Sequence, residues 1–189
     1  ASGQTANLQE WRIGGTTLSV VNKDGNIGIG IPNPGTRLSI ASNGECFVSC
    51  ASFGDANNEP GLIGYHARGT SSSPSAALAG DPLLWLGGRG FGATGFPTTC
   101  KALIGCFAAE NWTDIAQGTY ISLCTTPIGS TSRTERVRIA SEGNVGIGTT
   151  SPARSVHLQG GNACFRMDRN TNSAAFILVR TALGDFNTI

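Results

Sequence analysis

The chain alternates short apolar stretches with segments rich in glycine, proline, serine and threonine. Short apolar runs at regular spacing, bounded by glycine and proline turns, are typical of antiparallel β-structure. The central apolar stretches are residues 62–65, 83–86, 102–107, 120–123 and 137–139. We therefore predict an antiparallel β-domain over residues 46–139.

One motif occurs twice, before and after this predicted domain. Residues 23–40 read KDGNIGIGIPNPGTRLSI and residues 141–158 read SEGNVGIGTTSPARSVHL. In each copy an acidic residue, a glycine and an asparagine predict a turn. A β-branched residue then alternates with glycine at the period of a strand, so one face is aliphatic and the other has no side chains. A second strand is predicted at Leu38–Ile40 in the first copy and at Val156–Leu158 in the second.

Glycine within a strand usually marks the close approach of another backbone. A strand with so few side chains cannot build a core alone, and three copies around an axis would bury both its glycine face and its aliphatic face. We predict that four aliphatic residues point toward such a trimer axis: Ile27, Ile29, Val145 and Ile147.

The repeat divides the chain into three parts. These are residues 1–45 with the lead-in and the first copy, residues 46–139 with the inserted β-domain, and residues 140–189 with the second copy and C-terminal strands. Within the lead-in, residues 5–11 fit either a helical turn or a strand. Further strands are predicted at residues 164–167 and 175–179.

Composition supports an all-β chain. Glycine contributes 27 of 189 residues and charged residues only 13%, which are about twice and about half the usual shares. Long amphipathic helices need more charged and helix-forming residues than this. A hydrophobic content of 39% is too high for a disordered chain. No apolar run approaches the roughly 18 residues of a membrane span, and the N-terminus shows no signal peptide, so we expect no membrane insertion.

Charge and motifs argue against several kinds of partner. A net charge of +1 offers no basic footprint for nucleic acid. The G-x-G-x-x-G match at residues 90–95 has no helix after it, so it does not predict a nucleotide site. The six cysteines and two histidines lack zinc spacing, and we expect reduced, structural cysteines. We therefore predict no metal and no cofactor.

Loop residues are the candidates for binding. Asp81, Glu110 and Asp114 are the carboxylates that a glycosidase pair would have to use, but they are scattered, and we predict that the chain is not an enzyme and has no catalytic residues. Rigid β-scaffolds carry function on their loops, and aromatic residues dominate binding hot spots. The predicted receptor-binding residues are Trp85, Arg89, Phe91, Phe96 and Trp112. The alternative is that these aromatic side chains pack within the domain or at a subunit interface.

Several motifs in one order resemble a known family. The EGNVGIGTTSP sequence at residues 142–152 resembles the repeat of tail fibres and related appendages of tailed bacteriophages. The ARGT at residues 67–70 and the TERVRI at residues 134–139 resemble the stretches that open and close the inserted domain of such fibres. The TANLQEW at residues 5–11 resembles their lead-in to the first repeat.

This resemblance implies an all-β, elongated homotrimeric fibre in which short shaft repeats flank an inserted antiparallel β-domain. It implies a virion protein, made in the host cytoplasm, that attaches to a host cell-surface glycan or protein and contacts other virion tail proteins. Many such fibres continue into a C-terminal intramolecular chaperone, which nothing after Val179 resembles. The alternatives are a purely structural shaft or connector of the tail and a polysaccharide-depolymerising tailspike.

Overall fold

A computed structural model describes residues 6–53, 60–161, 179–181 and 184–186 of the chain. All regular structure in these ranges is β, which confirms the predicted all-β fold. The strands are β1 (Gln9–Ile13), β2 (Thr16–Val21), β3 (Ile27–Ile29), β4 (Leu38–Ile40), β5 (Arg68–Thr70), β6 (Ser73–Ser75), β7 (Pro82–Gly88), β8 (Ala102–Ala108), β9 (Thr119–Thr125), β10 (Thr134–Ile139), β11 (Val145–Ile147), β12 (Val156–Leu158), β13 (Val179–Thr181) and β14 (Gly184–Phe186). Within its described part the chain has no helix with the length and apolar character of a membrane span.

The chain forms two compact units, residues 1–62 and residues 63–189. The first unit holds a four-stranded sheet in the order β1-β2-β3-β4. Its strands are antiparallel except for β3 and β4, which run parallel. Strand β1 resolves the open alternative at residues 5–11, because the described part of that segment leads into a strand rather than a helical turn.

The second unit holds a six-stranded sheet in the order β12-β11-β10-β9-β8-β7. The sheet is antiparallel apart from its β11–β12 pair. A β5–β6 hairpin precedes it, and β13 pairs with β14. The second repeat therefore shares one sheet with the strands of the inserted segment. The three-part division of the sequence stays a prediction.

Four of the five central apolar stretches form strands β7 to β10, and the fifth does not. Residues 62–65 carry no strand because no described strand pairs with them. Leu62, Ile63 and Tyr65 are largely exposed. The predicted strand at 164–167 lies outside the described residues, as does the predicted strand at 175–179 apart from Val179.

The two copies of the repeat fold alike. Each has a three-residue strand, β3 or β11, with an antiparallel neighbour on one side and a parallel strand on the other. The predicted turns place Gly25 at φ +75° and Gly143 at φ +82°. The residues directly after the two strands, Gly30 and Gly148, also have positive φ. A side chain at Gly148 would collide with the carbonyl oxygen of Gln159.

The glycine face of each repeat strand is covered by the chain itself. A Cβ on Gly28 would lie 2.9 Å from Cγ1 of Val20 and would collide with the carbonyl oxygen of Ile31. A Cβ on Gly146 would lie 2.5 Å from the carbonyl oxygen of Thr149. The expectation that sister chains bury this face was therefore wrong: the backbone that approaches the glycines belongs to the crossover loop after each strand. Only the aliphatic face is left for a partner.

Three of the buried side chains lie on the glycine side of the two sheets. Val20 is fully buried beside Gly28 in the first unit. In the second unit Leu103 and Ser122 are buried on the sheet face that contains Gly146. The five cysteines within the described ranges are free, and Cys46 and Cys50 are exposed rather than packed.

Candidate functional site

One face of the six-stranded sheet is aliphatic across all six strands. Residues that oppose each other in register point to the same face. The first row consists of Leu84, Cys106, Ile121, Ile139, Val145 and Val156. The second row consists of Leu86, Ile104, Leu123, Val137, Ile147 and Leu158. We call these two rows the aliphatic face.

The aliphatic face is open in the single chain. Ile104 is 51% exposed, Leu86 48% and Ile147 43%. Monomeric soluble proteins rarely expose a contiguous apolar patch of more than a few hundred Å². A surface without a charged residue across two whole rows has the composition of an obligate subunit interface.

The four predicted axis residues lie on such faces. Val145 and Ile147 belong to the aliphatic face of the second unit, where Val145 is half-buried. In the first unit Ile27 and Ile29 are each 45% exposed, on the face opposite Gly28. Their position around an axis stays a prediction.

The other face of the six-stranded sheet carries a ladder of rings and guanidinium groups. The Phe107 ring stacks on that of Tyr120 at 5.1 Å and lies 6.4 Å from that of Trp85. Arg133 lies over the Trp85 ring at 5.1 Å, and Arg138 lies over the Tyr120 ring at 4.0 Å. Cation–π contacts of this kind stabilise exposed and half-buried rings. We call these five residues the aromatic ladder.

Glu135 fixes one end of the aromatic ladder. Its carboxylate accepts hydrogen bonds from Nε of Arg138 at 2.6 Å and from Nη2 at 2.9 Å. This pairing raises the pKa of the Arg138 guanidinium, and the hydrogen bonds that Arg138 donates to Glu135 are the largest cause.

Trp85, a predicted receptor-binding residue, packs within the aromatic ladder through Phe107 and Arg133, although its side chain is 45% exposed.

Three predicted receptor-binding residues lie together in the loop from β7 to β8. The rings of Phe91 and Phe96 meet edge to face at 5.1 Å, and each side chain is about two-thirds exposed. A turn closed by the Gly92 N–H, which donates to the Gly95 carbonyl at 2.9 Å, holds them side by side. Nη1 of Arg89 donates to the Pro97 carbonyl at 3.4 Å.

The loop from β9 to β10 completes this end of the sheet. Nζ of Lys101 donates to the Thr131 carbonyl at 2.7 Å, and Oγ1 of Thr126 donates to the Lys101 carbonyl at 2.8 Å. Nη1 of Arg133 donates to the Cys100 carbonyl at 3.1 Å. The two loops are thereby joined around a depression of about 640 Å³. It has the size of an ordinary small-ligand site.

Trp112 lies at the opposite end of the sheet, in the loop from β8 to β9. Its Nε1 donates to the Gly118 carbonyl at 3.2 Å, and its backbone N–H donates to the Ala77 carbonyl at 2.9 Å. The predicted receptor-binding set is therefore divided among three places. Arg89, Phe91 and Phe96 are together, while Trp85 and Trp112 are apart from them.

Two of the three carboxylates considered for hydrolysis have structural partners. Asp81 accepts hydrogen bonds from Arg68 and from the Leu78 N–H, and these hold the pKa of its carboxyl far below the usual range. Oε1 of Glu110 accepts the Gly118 N–H at 2.7 Å. In the described ranges no three His, Cys, Asp or Glu side chains come together as a metal site requires.

No protein-family model matches the chain, and no curated protein matches it. Among solved structures it is similar to the carboxy-terminal domain of the bacteriophage T5 L-shaped tail fibre, with a TM-score of 0.61 and 14% identity over 85% of this chain and 68% of that one. It is also similar to that carboxy-terminal domain with its intra-molecular chaperone domain, with a TM-score of 0.59 and 15% identity over 91% of this chain and 50% of that one. The chain thus has the fold of a phage tail fibre domain.

Proposed function

We propose that this chain is a structural and adhesive component of a bacteriophage tail fibre, carried on the virion, that attaches to a host cell surface through loops repeated by threefold symmetry. The fold similarity supports a place in a tail fibre. The observation that carries the assembly is the aliphatic face, two uncharged rows that cross all six strands.

The proposed assembly is a homotrimer in which the aliphatic faces meet. Fully burying an exposed Val, Leu or Ile side chain contributes about 1.5–3 kcal/mol. The side chains of the two rows are already partly buried in the single chain, so each adds a fraction of this, and the driving force comes from the sum over both rows. Ile27 and Ile29 in the first unit and Val145 and Ile147 in the second are the residues we place nearest the axis. The crossover loops already cover the glycine faces, so the aliphatic faces alone require a partner.

Threefold symmetry also suits attachment. Each loop occurs three times in a trimer, so weak contacts with a repetitive cell-surface glycan or protein gain avidity. Attachment needs no bond to be made or broken, and we propose that the chain is not an enzyme. Asp81 supports this, because the hydrogen bonds from Arg68 hold the pKa of its carboxyl far below the usual range and so leave it without the proton that a general acid needs.

A purely structural shaft or connector is the second candidate. The internal contacts of Trp85 and Trp112 favour it, because aromatic side chains that pack within the domain are not available to contact a receptor. In that case other virion tail proteins are the only partners.

Two measurements on the intact chain test these proposals. Light scattering is expected to give three times the chain mass of 19.4 kDa, and a monodisperse monomer would contradict the trimer. Fluorescently labelled trimer is then mixed with a panel of bacteria. Saturable binding to some strains supports adhesion, whereas a trimer that binds none favours the connector. Release of reducing ends from surface polysaccharide would contradict the proposal that the chain is not an enzyme.

A further inference from the structure

Charge is unevenly distributed between the two ends of the six-stranded sheet. Because neighbouring strands β7 to β11 are antiparallel, the β7–β8 and β9–β10 loops lie at one end, and the β8–β9 and β10–β11 loops lie at the other. The loops at the first end, residues 89–101 and 126–133, contain Arg89, Lys101 and Arg133 and no carboxylate. The loops at the second end contain Glu110, Asp114 and Glu142 and no lysine or arginine.

The cations at the first end differ in how far they are already engaged. Arg133 lies over Trp85 and donates to the Cys100 carbonyl. Lys101 uses one of its three ammonium donors on Thr131, and Arg89 makes a single long hydrogen bond at 3.4 Å. Glu135, the first carboxylate along β10, is paired with Arg138. Arg89 and Lys101 therefore keep donors for an anion.

The exposed rings are part of the same surface. Phe91 and Phe96 line the depression together with Lys101 and the hydroxyl-bearing residues Thr126 and Ser130. Ligand sites commonly combine apolar or aromatic walls with a few polar groups that fix orientation. Here the rings offer flat apolar faces, the hydroxyls offer donors and acceptors, and the cations offer charge.

From this arrangement we propose that the β7–β8 and β9–β10 loops form a site for an anionic sugar of the host surface. The carboxylate or phosphate of the sugar binds Arg89 and Lys101, and its ring lies against Phe91 and Phe96. This proposal rests on the adhesive function proposed above and names the ligand of one of its loop sites. The β8–β9 and β10–β11 loops carry carboxylates instead, which disfavour an anionic ligand there.

A nucleic acid fits this surface less well. Binding to a phosphate backbone depends on an extended track of basic residues, whereas these two loops provide three cations on a chain whose net charge is +1. The depression accommodates one or a few sugar rings rather than a strand. The test must therefore distinguish binding of an anionic sugar from binding of duplex DNA.

The test uses calorimetry to measure binding of the full chain to polygalacturonate, phosphorylated dextran, unmodified dextran and, separately, duplex DNA. The first two distinguish a carboxylate from a phosphate ligand, and the third controls for the neutral backbone. The test variant is Arg89→Gln/Phe96→Ala. The matched control is Arg154→Gln/Ile115→Ala, which removes an exposed guanidinium and a fully exposed apolar side chain elsewhere in the second unit.

We expect the wild-type chain to bind at least one polyanion and not unmodified dextran, with affinity that falls as salt rises. The test variant is expected to bind at least about tenfold more weakly, because it loses a charge-assisted hydrogen bond and a ring contact. The control variant is expected to bind as the wild type does. Failure to bind either polyanion, equal binding of dextran, or equal binding by the two variants would overturn the proposal.

Further results distinguish a failure of the anionic-sugar site from a failure of the proposed adhesive function. If the wild type and the test variant bind bacterial cells equally, adhesion stands and the anionic-sugar site is wrong. If the chain binds duplex DNA through Arg89 and Phe96 but binds no polysaccharide, the ligand class is wrong. A chain that binds no bacterial strain contradicts adhesion itself, whatever the polymers show.

Discussion

The carboxylate of Asp81 accepts two hydrogen bonds from the guanidinium of Arg68, from Nε to Oδ2 at 2.6 Å and from Nη2 to Oδ1 at 2.7 Å. Oδ2 also accepts the Leu78 N–H at 2.9 Å and lies 3.3 Å from Nε2 of His66. Asp81 immediately precedes β7, and Arg68 begins the β5–β6 hairpin. One carboxylate therefore ties the hairpin to the entrance of the six-stranded sheet.

This anchor predicts a loss of stability in acid. The hydrogen bonds from Arg68 are the largest cause of the lowered pKa of Asp81. The unfolded chain has an aspartate pKa of about 3.9, so the stabilisation is fully present above that pH and falls as the pH drops below it toward the folded pKa. Asp81→Asn is expected to unfold at lower urea concentration at pH 7 and to change less between pH 4 and pH 2. Parallel pH curves for Asp81→Asn and wild type would contradict this. Asp114→Asn, at an exposed position, is the control.

The glycine that follows each repeat strand predicts a loss of stability when it is replaced. Gly148 has φ +76°, and a Cβ there would meet the Gln159 carbonyl oxygen. A non-glycine residue in the left-handed region costs about 1–3 kcal/mol before any collision. Gly148→Ala is expected to lower the free energy of unfolding by about 2–4 kcal/mol in thermal melts. Gly160→Ala, where a Cβ meets nothing within 4 Å, is expected to melt as the wild type does. Equal melting of the two variants would show that the turn relaxes around the new side chain.

The repeat could be predicted from sequence because its signals are local. Alternation at period two indicated β3 and β11, and Gly25 and Gly143 adopt the positive φ that the predicted turns require. What covers the glycines could not be predicted in this way. The crossover loop at Ile31 fills the space above Gly28. The glycine pattern indicates only that some backbone approaches the strand closely, and does not indicate whether that backbone belongs to the same chain or to another.

Part of the candidate site could also be predicted, because some of its contacts are local in sequence. Phe91 and Phe96 are separated by one tight turn, so their partnership is local. The aromatic ladder depends on register, since Phe107 faces Tyr120 only through the β8–β9 pairing. Arg138 and Glu135 are only three residues apart, but they meet on one face because the register shifts between Glu135 and Val137, and this shift is set by the pairing with β9. Residues far apart in sequence meet through strand pairing, which composition and spacing do not encode.

The aromatic ladder predicts that a conservative substitution is not neutral. Arg138 makes a two-pronged contact with Glu135 while its guanidinium plane covers Tyr120. Lysine keeps the charge but has neither the planar fork nor the stacking surface. Arg138→Lys is expected to lower the free energy of unfolding by about 1–2 kcal/mol in urea titrations. Arg154→Lys, at an exposed position, is expected to change it by less than about 0.5 kcal/mol. Equal stabilities would mean that the ladder contributes little.

The aliphatic face gives the sharpest test of assembly. Ile104 lies on β8 in the second row, and Ile147 lies on β11 in the same row. A carboxylate at either position would be desolvated in a trimer at a cost of several kcal/mol for each subunit. In the separate chain these side chains are about half exposed, so the sheet itself tolerates the charge. Ile104→Glu and Ile147→Glu are therefore expected to scatter light at the mass of one chain and to keep a β-sheet circular dichroism spectrum. Ile115→Glu, fully exposed in the β8–β9 loop, should retain the wild-type mass, and trimeric Ile104→Glu would show that the chains meet elsewhere.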